Sequence, residues 1–120
     1  MVLVDTSVWV RHLRDGNVRL ERLLNDGNVV CHPFIVGELA CGNLRNRHEI
    51  LSLLRSLPIA TLAAHEEVMQ FIEDNQLMGK GLGYIDAHLI ASAMLTHSSI
   101  WTLDKTLAEI SLKLGIGSHA

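Results

Sequence analysis

Four acidic side chains, Asp5, Glu38, Asp86 and Asp104, are set in apolar stretches where a chain that must build a core normally avoids charge. The stretches read Val2-Leu3-Val4-Asp5, Val36-Gly37-Glu38-Leu39-Ala40, Tyr84-Ile85-Asp86-Ala87 and Trp101-Thr102-Leu103-Asp104. Carboxylates in such settings are buried only when paired, protonated or bound to a cation. No basic residue stands close enough in sequence to neutralise all four, so the chain is expected to bring them together around a metal. The other nine acids behave differently. Asp15 and Asp26 precede glycines, Glu66, Glu67, Glu73 and Asp74 lie in polar clusters, and Glu21 neighbours Arg19 and Arg22. Glu49 shares a helical face with Arg45 and Ser52, and Glu109 lies four residues from both Lys105 and Lys113, so these too are solvated charges.

With 120 residues, 48% of them hydrophobic, the chain is expected to be one domain, residues 1–120, with enough apolar material for a core. Its net charge of −3 argues against a protein that holds nucleic acid by a general basic field; a polyanion partner requires local positive charge or bound metal. Cys31 and Cys41 form no Cys-x-x-Cys pair, which points to reduced thiols. The apolar run before Asp5 is too short for a signal peptide, and Leu89 to Leu95 is too short to span a bilayer. The expected location is therefore the cytoplasm, with no membrane contact.

Val2 to Val4 is β-branched and does not alternate, as in a central parallel strand covered on both faces, and Asp5-Thr6-Ser7 then offers helix caps. A helix through Val8, Trp9, Val10 and Leu13 is stopped by Gly16; a second runs from Val18 to Leu24. Val29 to Cys31 predicts the next strand, and Pro33 opens a helix reaching about Cys41 on which Glu38 faces inward with Phe34, Ile35 and Cys41. A helix over Ile50 to Leu57 ends at Pro58. A modest strand at Ile59 to Leu62 and a helix from Ala64 to Gln76 follow. Gly79 to Gly83 predicts a flexible approach loop before a long apolar helix from Tyr84 to about His97, with Asp86 in its first turn. Ser99 to Leu103, the helix Lys105 to Leu114 and a short edge strand at Ile116 to Ser118 complete the chain. Strands alternating with helices predict an α/β sandwich on a parallel sheet, and ligands of such sheets collect beyond the carboxyl ends of the strands, where Asp5 and Asp104 fall.

Taken singly, Asp5 and Asp104 also read as helix caps and Asp86 as an ordinary first-turn acid; mid-helix Glu38 gains nothing from a helix dipole. Two carboxylates brought within about 4 Å repel by roughly 4 kcal/mol at an effective dielectric of about 20, which a proton or divalent ion relieves. Oxygen ligands without His or Cys select Mg²⁺ or Mn²⁺ and leave positions open to phosphate oxygens. Such an ion would polarise a scissile phosphate and orient a nucleophilic water, with one carboxylate as general base. Relief of repulsion further predicts that Asp5→Ala or Asp86→Ala leaves the fold intact or more stable. The histidines, His12, His32, His48, His65, His88, His97 and His119, have no helical pairing of the kind that holds zinc, and His88 reads better as packing than as a site residue. Gly79 to Gly83 lacks the Lys-Ser/Thr of a phosphate loop, and Ser7 lacks a Gly-x-Ser-x-Gly elbow. Trp9 and Trp101 read as core.

In order and spacing, Asp5-Thr6-Ser7-Val8-Trp9, Glu38, Gly83-Tyr84-Ile85-Asp86-Ala87-His88-Leu89-Ile90-Ala91 and Trp101-Thr102-Leu103-Asp104-Lys105 closely resemble PIN-domain ribonucleases, specifically VapC-type toxins. The resemblance spans essentially the whole chain. It implies a PIN-like three-layer sandwich with a small parallel sheet, an Mg²⁺- or Mn²⁺-dependent endoribonuclease acting on tRNA or ribosomal RNA, and a cognate antitoxin. It implies that Asp5, Glu38, Asp86 and Asp104 are the metal-binding quartet, with Asp5 and Asp86 as direct ligands, and that Thr6 or Ser7 is the polar position after the first acid. Two corollaries follow. Val8, Trp9, Leu13, Leu20, Leu23 and Leu24 are expected to offer a groove to an antitoxin helix or a homodimer face. Arg11, Arg14, Arg45, Arg47, Lys80 and Lys105 are expected to meet RNA. Two rivals share the architecture. A phospho-acceptor signalling domain wants paired acids after the first strand and a central acceptor Asp, where this chain has Asp5 alone and Arg55. A catalytically silent binding module needs no complete quartet.

Overall fold

The computed structural model describes residues 1–118, so His119 lies outside the described residues. The order is β1 (Val2–Val4), α1 (Thr6–Asp15), α2 (Val18–Asn25), β2 (Val29–Val30), α3 (Pro33–Ala40), α4 (Arg47–Ser56), α5 (His65–Asp74), α6 (Tyr84–Thr96), β3 (Ser99–Trp101) and α7 (Lys105–Lys113). The three strands form one parallel sheet in the order β2-β1-β3, with Leu3 opposite Val30 on one side and Ile100 on the other. This is the α/β arrangement the sequence predicts, and it puts Asp5 and Asp104 at the same, carboxyl, edge of the sheet.

The expected outer strands are smaller than predicted. Ile59 to Leu62 contributes a single parallel bridge, Cys31 with Ile59, and the 116–118 segment another, Ile100 with Gly117. Each adds one bridged residue at an outer side of the sheet, held by two backbone hydrogen bonds. The strand predicted over Ser99 to Leu103 ends at Trp101, because the Asp5 N–H bonds the Trp101 carbonyl at 2.9 Å and the next residues turn into α7.

β1 is central and covered on both faces, with Leu3 and Val4 essentially inaccessible, as its unbroken apolar run requires. α6 is buried continuously from Ala87 to Ala93, and its alternation of small and large side chains lets it sit against both β3 and α5. It ends where His97 takes the left-handed conformation, φ 57°, and its N–H bonds back to the Ala93 and Met94 carbonyls. Val8, Trp9 and Leu20 are core residues, which removes half of the apolar set expected to form an external groove; Leu13, Leu23 and Leu24 are half-buried. No helix among the described residues is long and apolar enough to cross a membrane.

His32 begins α3: it is 2% exposed, and its Nδ1 accepts the Phe34 N–H at 3.0 Å. Burial, and secondarily the nearby His88, push its pKa from 6.5 down to about 4. The folded state therefore binds this proton less readily than the unfolded chain, so the stability it contributes is complete above about pH 6.5 and is lost as pH falls toward about 4. His32→Asn keeps an acceptor at the capping position without a titrating ring. Thermal melts across this range are expected to show a shallower loss of stability on acidification for the variant than for the parent.

Candidate active site

Each acid reaches the carboxyl edge of the sheet from a different element. Asp5 occupies the N-cap position of α1 but makes no capping bond. Its Oδ2 instead accepts the hydroxyls of Ser7 at 2.9 Å and Thr102 at 2.7 Å. The Thr102 oxygen also accepts the Asp104 N–H at 3.0 Å, and the Ser7 oxygen accepts the Leu103 N–H at 3.0 Å. Two hydroxyls thus join the end of β1 to the segment after β3. Thr102 was not singled out in sequence; the signal available was its place between an apolar strand and Asp104.

Asp104 does cap α7, its Oδ1 accepting the Leu107 N–H at 2.8 Å, so the plain capping reading holds for one of its oxygens. Glu38 Oε1 accepts the Thr6 hydroxyl at 2.9 Å, tying α3 to α1. Among the described residues no hydrogen bond engages the second oxygen of Asp5, Glu38 or Asp104, or either oxygen of Asp86. Each acid therefore keeps at least one oxygen for a ligand.

Burial departs from the expectation. Asp5 is 7% exposed and Asp86 half-buried, but Asp104 and Glu38 are exposed. Glu38 does not face inward: it shares its stripe of α3 with exposed Phe34 and Cys41, while Ile35 and Leu39 carry the core contacts. The apolar letters around Glu38 pack on other sides of a short helix that lies over the sheet edge.

The four acids nonetheless act on one another. The Asp86 carboxyl is pushed up from 3.8 to about 6, first by burial, then by the charges of Asp5, Asp104 and Glu38. Among the described residues no three His, Cys, Asp or Glu side chains are already gathered tightly enough to hold an ion. The donor set fits a hard divalent cation, being oxygen throughout and short of positive charge, but closing around one requires the exposed carboxylates to swing inward.

A profile of the PIN domain matches residues 2–113. The chain belongs to the PIN-domain family. Ribonuclease VapC32 of Mycobacterium tuberculosis, in strains CDC 1551 / Oshkosh and ATCC 25618 / H37Rv, is 40% identical over 117 residues, covering 97% of this chain and 94% of the relative. This PIN domain is thus homologous to a VapC ribonuclease along nearly its whole length, as the motif resemblance implied.

The remaining polar residues divide plainly. Thr6 and Ser7 orient Glu38 and Asp5. His88 is 6% exposed, with its ring against Phe34 and Tyr84, which supports packing over ligation.

Three stability outcomes follow. Because the folded Asp86 pKa of about 6 lies above the unfolded value, ionised Asp86 costs stability at neutral pH and protonated Asp86 does not. Asp86→Asn is expected to raise the unfolding free energy of metal-free protein by on the order of 1 kcal/mol near neutral pH, the gain fading below about pH 4. Thr102→Val removes the hydroxyl shared by Asp5 and Asp104 and is expected to cost about 1–3 kcal/mol in urea unfolding. For the same reason Asp5→Ala, which strands two hydroxyls, is expected to destabilise, against the expectation from repulsion alone.

Proposed function

We propose that this PIN domain is a metal-dependent endoribonuclease toxin that cuts tRNA or ribosomal RNA and is silenced by a cognate antitoxin. The observation that carries the reading is the charge coupling of Asp86 to Asp5, Asp104 and Glu38 at the carboxyl edge of a parallel sheet. The 40% identity to Ribonuclease VapC32 supports it.

Asp5 and Asp86 would hold the divalent ion, Mg²⁺ or Mn²⁺, with Asp104 and Glu38 completing the acidic set. When bound, such an ion neutralises phosphate charge and acidifies water. The protein's own residues do the rest. Ser7 and Thr102 fix the Asp5 carboxylate, and Thr6 fixes Glu38. An outer carboxylate, Glu38 or Asp104, accepts the proton of the water that attacks phosphorus, and the ribose oxygen leaves. Repulsion among the four carboxylates discourages phosphate binding until a cation is present.

The antitoxin reading draws on a groove of about 640 Å³ between α1, α3 and the segment leading into α4. Its walls include Val10, Leu13, Leu39 and Ile50, with Arg14 and Arg45 at hand and Glu38 on its border. An amphipathic helix with acidic flanks suits that lining and would obstruct the acidic set from the side. For a homodimer, the supporting feature is exposed Leu62, Met69, Met94 and Leu95 on and beside the packed pair α5 and α6. The free thiols Cys31 and Cys41 suit a reducing cytoplasm.

Incubating the purified chain with total RNA and Mg²⁺ tests the reading. Wild type is expected to cut and to stop on chelation, while Asp5→Asn and Asp86→Asn lose at least about a hundredfold in rate. Full cleavage by both variants, or phosphorylation from a small donor in place of cutting, would refute it.

A further inference from the structure

The net charge of −3 and an acidic centre leave this chain poorly equipped to hold RNA by phosphate contacts alone, so affinity must come from elsewhere. The chain has five Phe, Trp and Tyr residues. Trp9 and Trp101 are buried, at 1% and 6% exposure, and Phe71 is half-buried against the core. Two of these rings are exposed, Phe34 at 37% and Tyr84 at 43%, and both touch the ring of His88. Phe34 lies one helical turn before Glu38 on the same stripe of α3, a side-chain spacing of about 6 Å. Tyr84 opens α6 two residues before Asp86.

The rings are also braced. Both pack edge-on with the His88 ring, Phe34 at 5.0 Å and Tyr84 at 4.6 Å between centroids. His32 covers another side of Phe34 at 4.9 Å. The Tyr84 hydroxyl is held by His65 Nδ1 and, at 2.7 Å, by His88 Nε2. Side chains immobilised in this way lose little rotamer freedom when a flat ligand lands on them. Isolated exposed apolar residues are unremarkable on any surface, but here the two exposed rings share one histidine and Phe34 shares a helix stripe with Glu38.

We propose that Phe34 and Tyr84 form a stacking platform for an unpaired nucleobase near Glu38, so that the chain selects its cut site partly by stacking. The inference rests on the ribonuclease reading above. Only an unpaired base can offer its face to these rings, because a base inside a duplex has both faces covered by its neighbours. Stacking on aromatic side chains adds to whatever phosphate contact the few basic residues supply, which matters most on a chain whose net charge is negative.

The test uses the full chain in Ca²⁺, a hard cation that takes oxygen ligands with looser geometry than Mg²⁺, so that RNA is bound without efficient cutting, and an oligoribonucleotide carrying 2-aminopurine. Single-stranded probe is expected to bind with quenching of its fluorescence. Phe34→Leu or Tyr84→Leu is expected to weaken that binding roughly tenfold and remove the quenching, while weak duplex binding is unchanged. Phe34→Tyr and Tyr84→Phe, which keep the rings, are expected to retain quenching. Both leucine variants are at exposed positions, and their melts check folding. Unaltered affinity and quenching in folded leucine variants would overturn the platform, as would preference for duplex, or loss of quenching in the ring-keeping variants. An effect of the leucine variants confined to antitoxin binding would assign the rim to protein instead and equally overturn it. If wild-type chain cuts RNA while the leucine variants behave as the parent, the platform alone fails; if wild type neither cuts nor binds RNA, the ribonuclease reading fails with it.

Discussion

Like-charge repulsion between carboxylates is the constraint around which this structure is arranged. Left to themselves, Asp5, Glu38, Asp86 and Asp104 would separate, since each can reach water or a local backbone partner. The parallel sheet forbids that for two of them, because β1 and β3 are paired neighbours that end at the same edge. The hydroxyls of Ser7 and Thr102 then hold Asp5 in place. A carboxylate accepting two hydroxyls is partly compensated, which lets it stay at 7% exposure without a cationic partner. Asp86 has no such donor among the described residues, and burial first, then the charges of Asp5, Asp104 and Glu38, raise its pKa.

That division of labour separates rigid from adjustable parts of the site. Asp5 is fastened through two strands, and Asp104 is fastened at one oxygen by the first turn of α7. Glu38 sits exposed on a short helix with one tie to Thr6, and Asp86 is free of hydrogen bonds among the described residues. On the proposed reading, Asp5 would give a divalent ion a fixed oxygen and the exposed carboxylates would supply adjustable ones, with relief of their repulsion favouring the bound state. Around the rim, the aromatic rings that escaped the core are pinned by histidines, of which His32 and His88 have their pKa values lowered by burial, His32 most strongly. The same histidine cluster therefore serves the start of α3 and the surroundings of the acids.

Much of the architecture was legible in the letters. Unalternating Val2-Leu3-Val4 read as a doubly covered strand, Gly16 and Pro33 marked helix limits, and the seven helices among the described residues fall on the six amphipathic or short capped segments and the one long apolar segment expected to be helical. Errors gathered where pairing depends on a neighbour. Ile59 to Leu62 has strand-like composition but meets β2 at one residue only, and composition carries no information about how much edge is on offer. Glu38 misled for a related reason: helical spacing correctly grouped it with Phe34 and Cys41, yet which side of α3 turns to the core depends on how that helix lies on its neighbours.

The identity of the four acids, their order and the elements that carry them were set by local chemistry, because strand-ending acids and a first-turn acid are specified by immediate neighbours in the chain. Their mutual influence was not, since it is a matter of distance between segments up to about a hundred residues apart, and distance exists only once the sheet has formed. Thr102 marks that boundary most sharply. In sequence it is one polar letter before Leu103; in space its oxygen bridges Asp5 and the Asp104 backbone, a role that requires β1 and β3 to lie side by side.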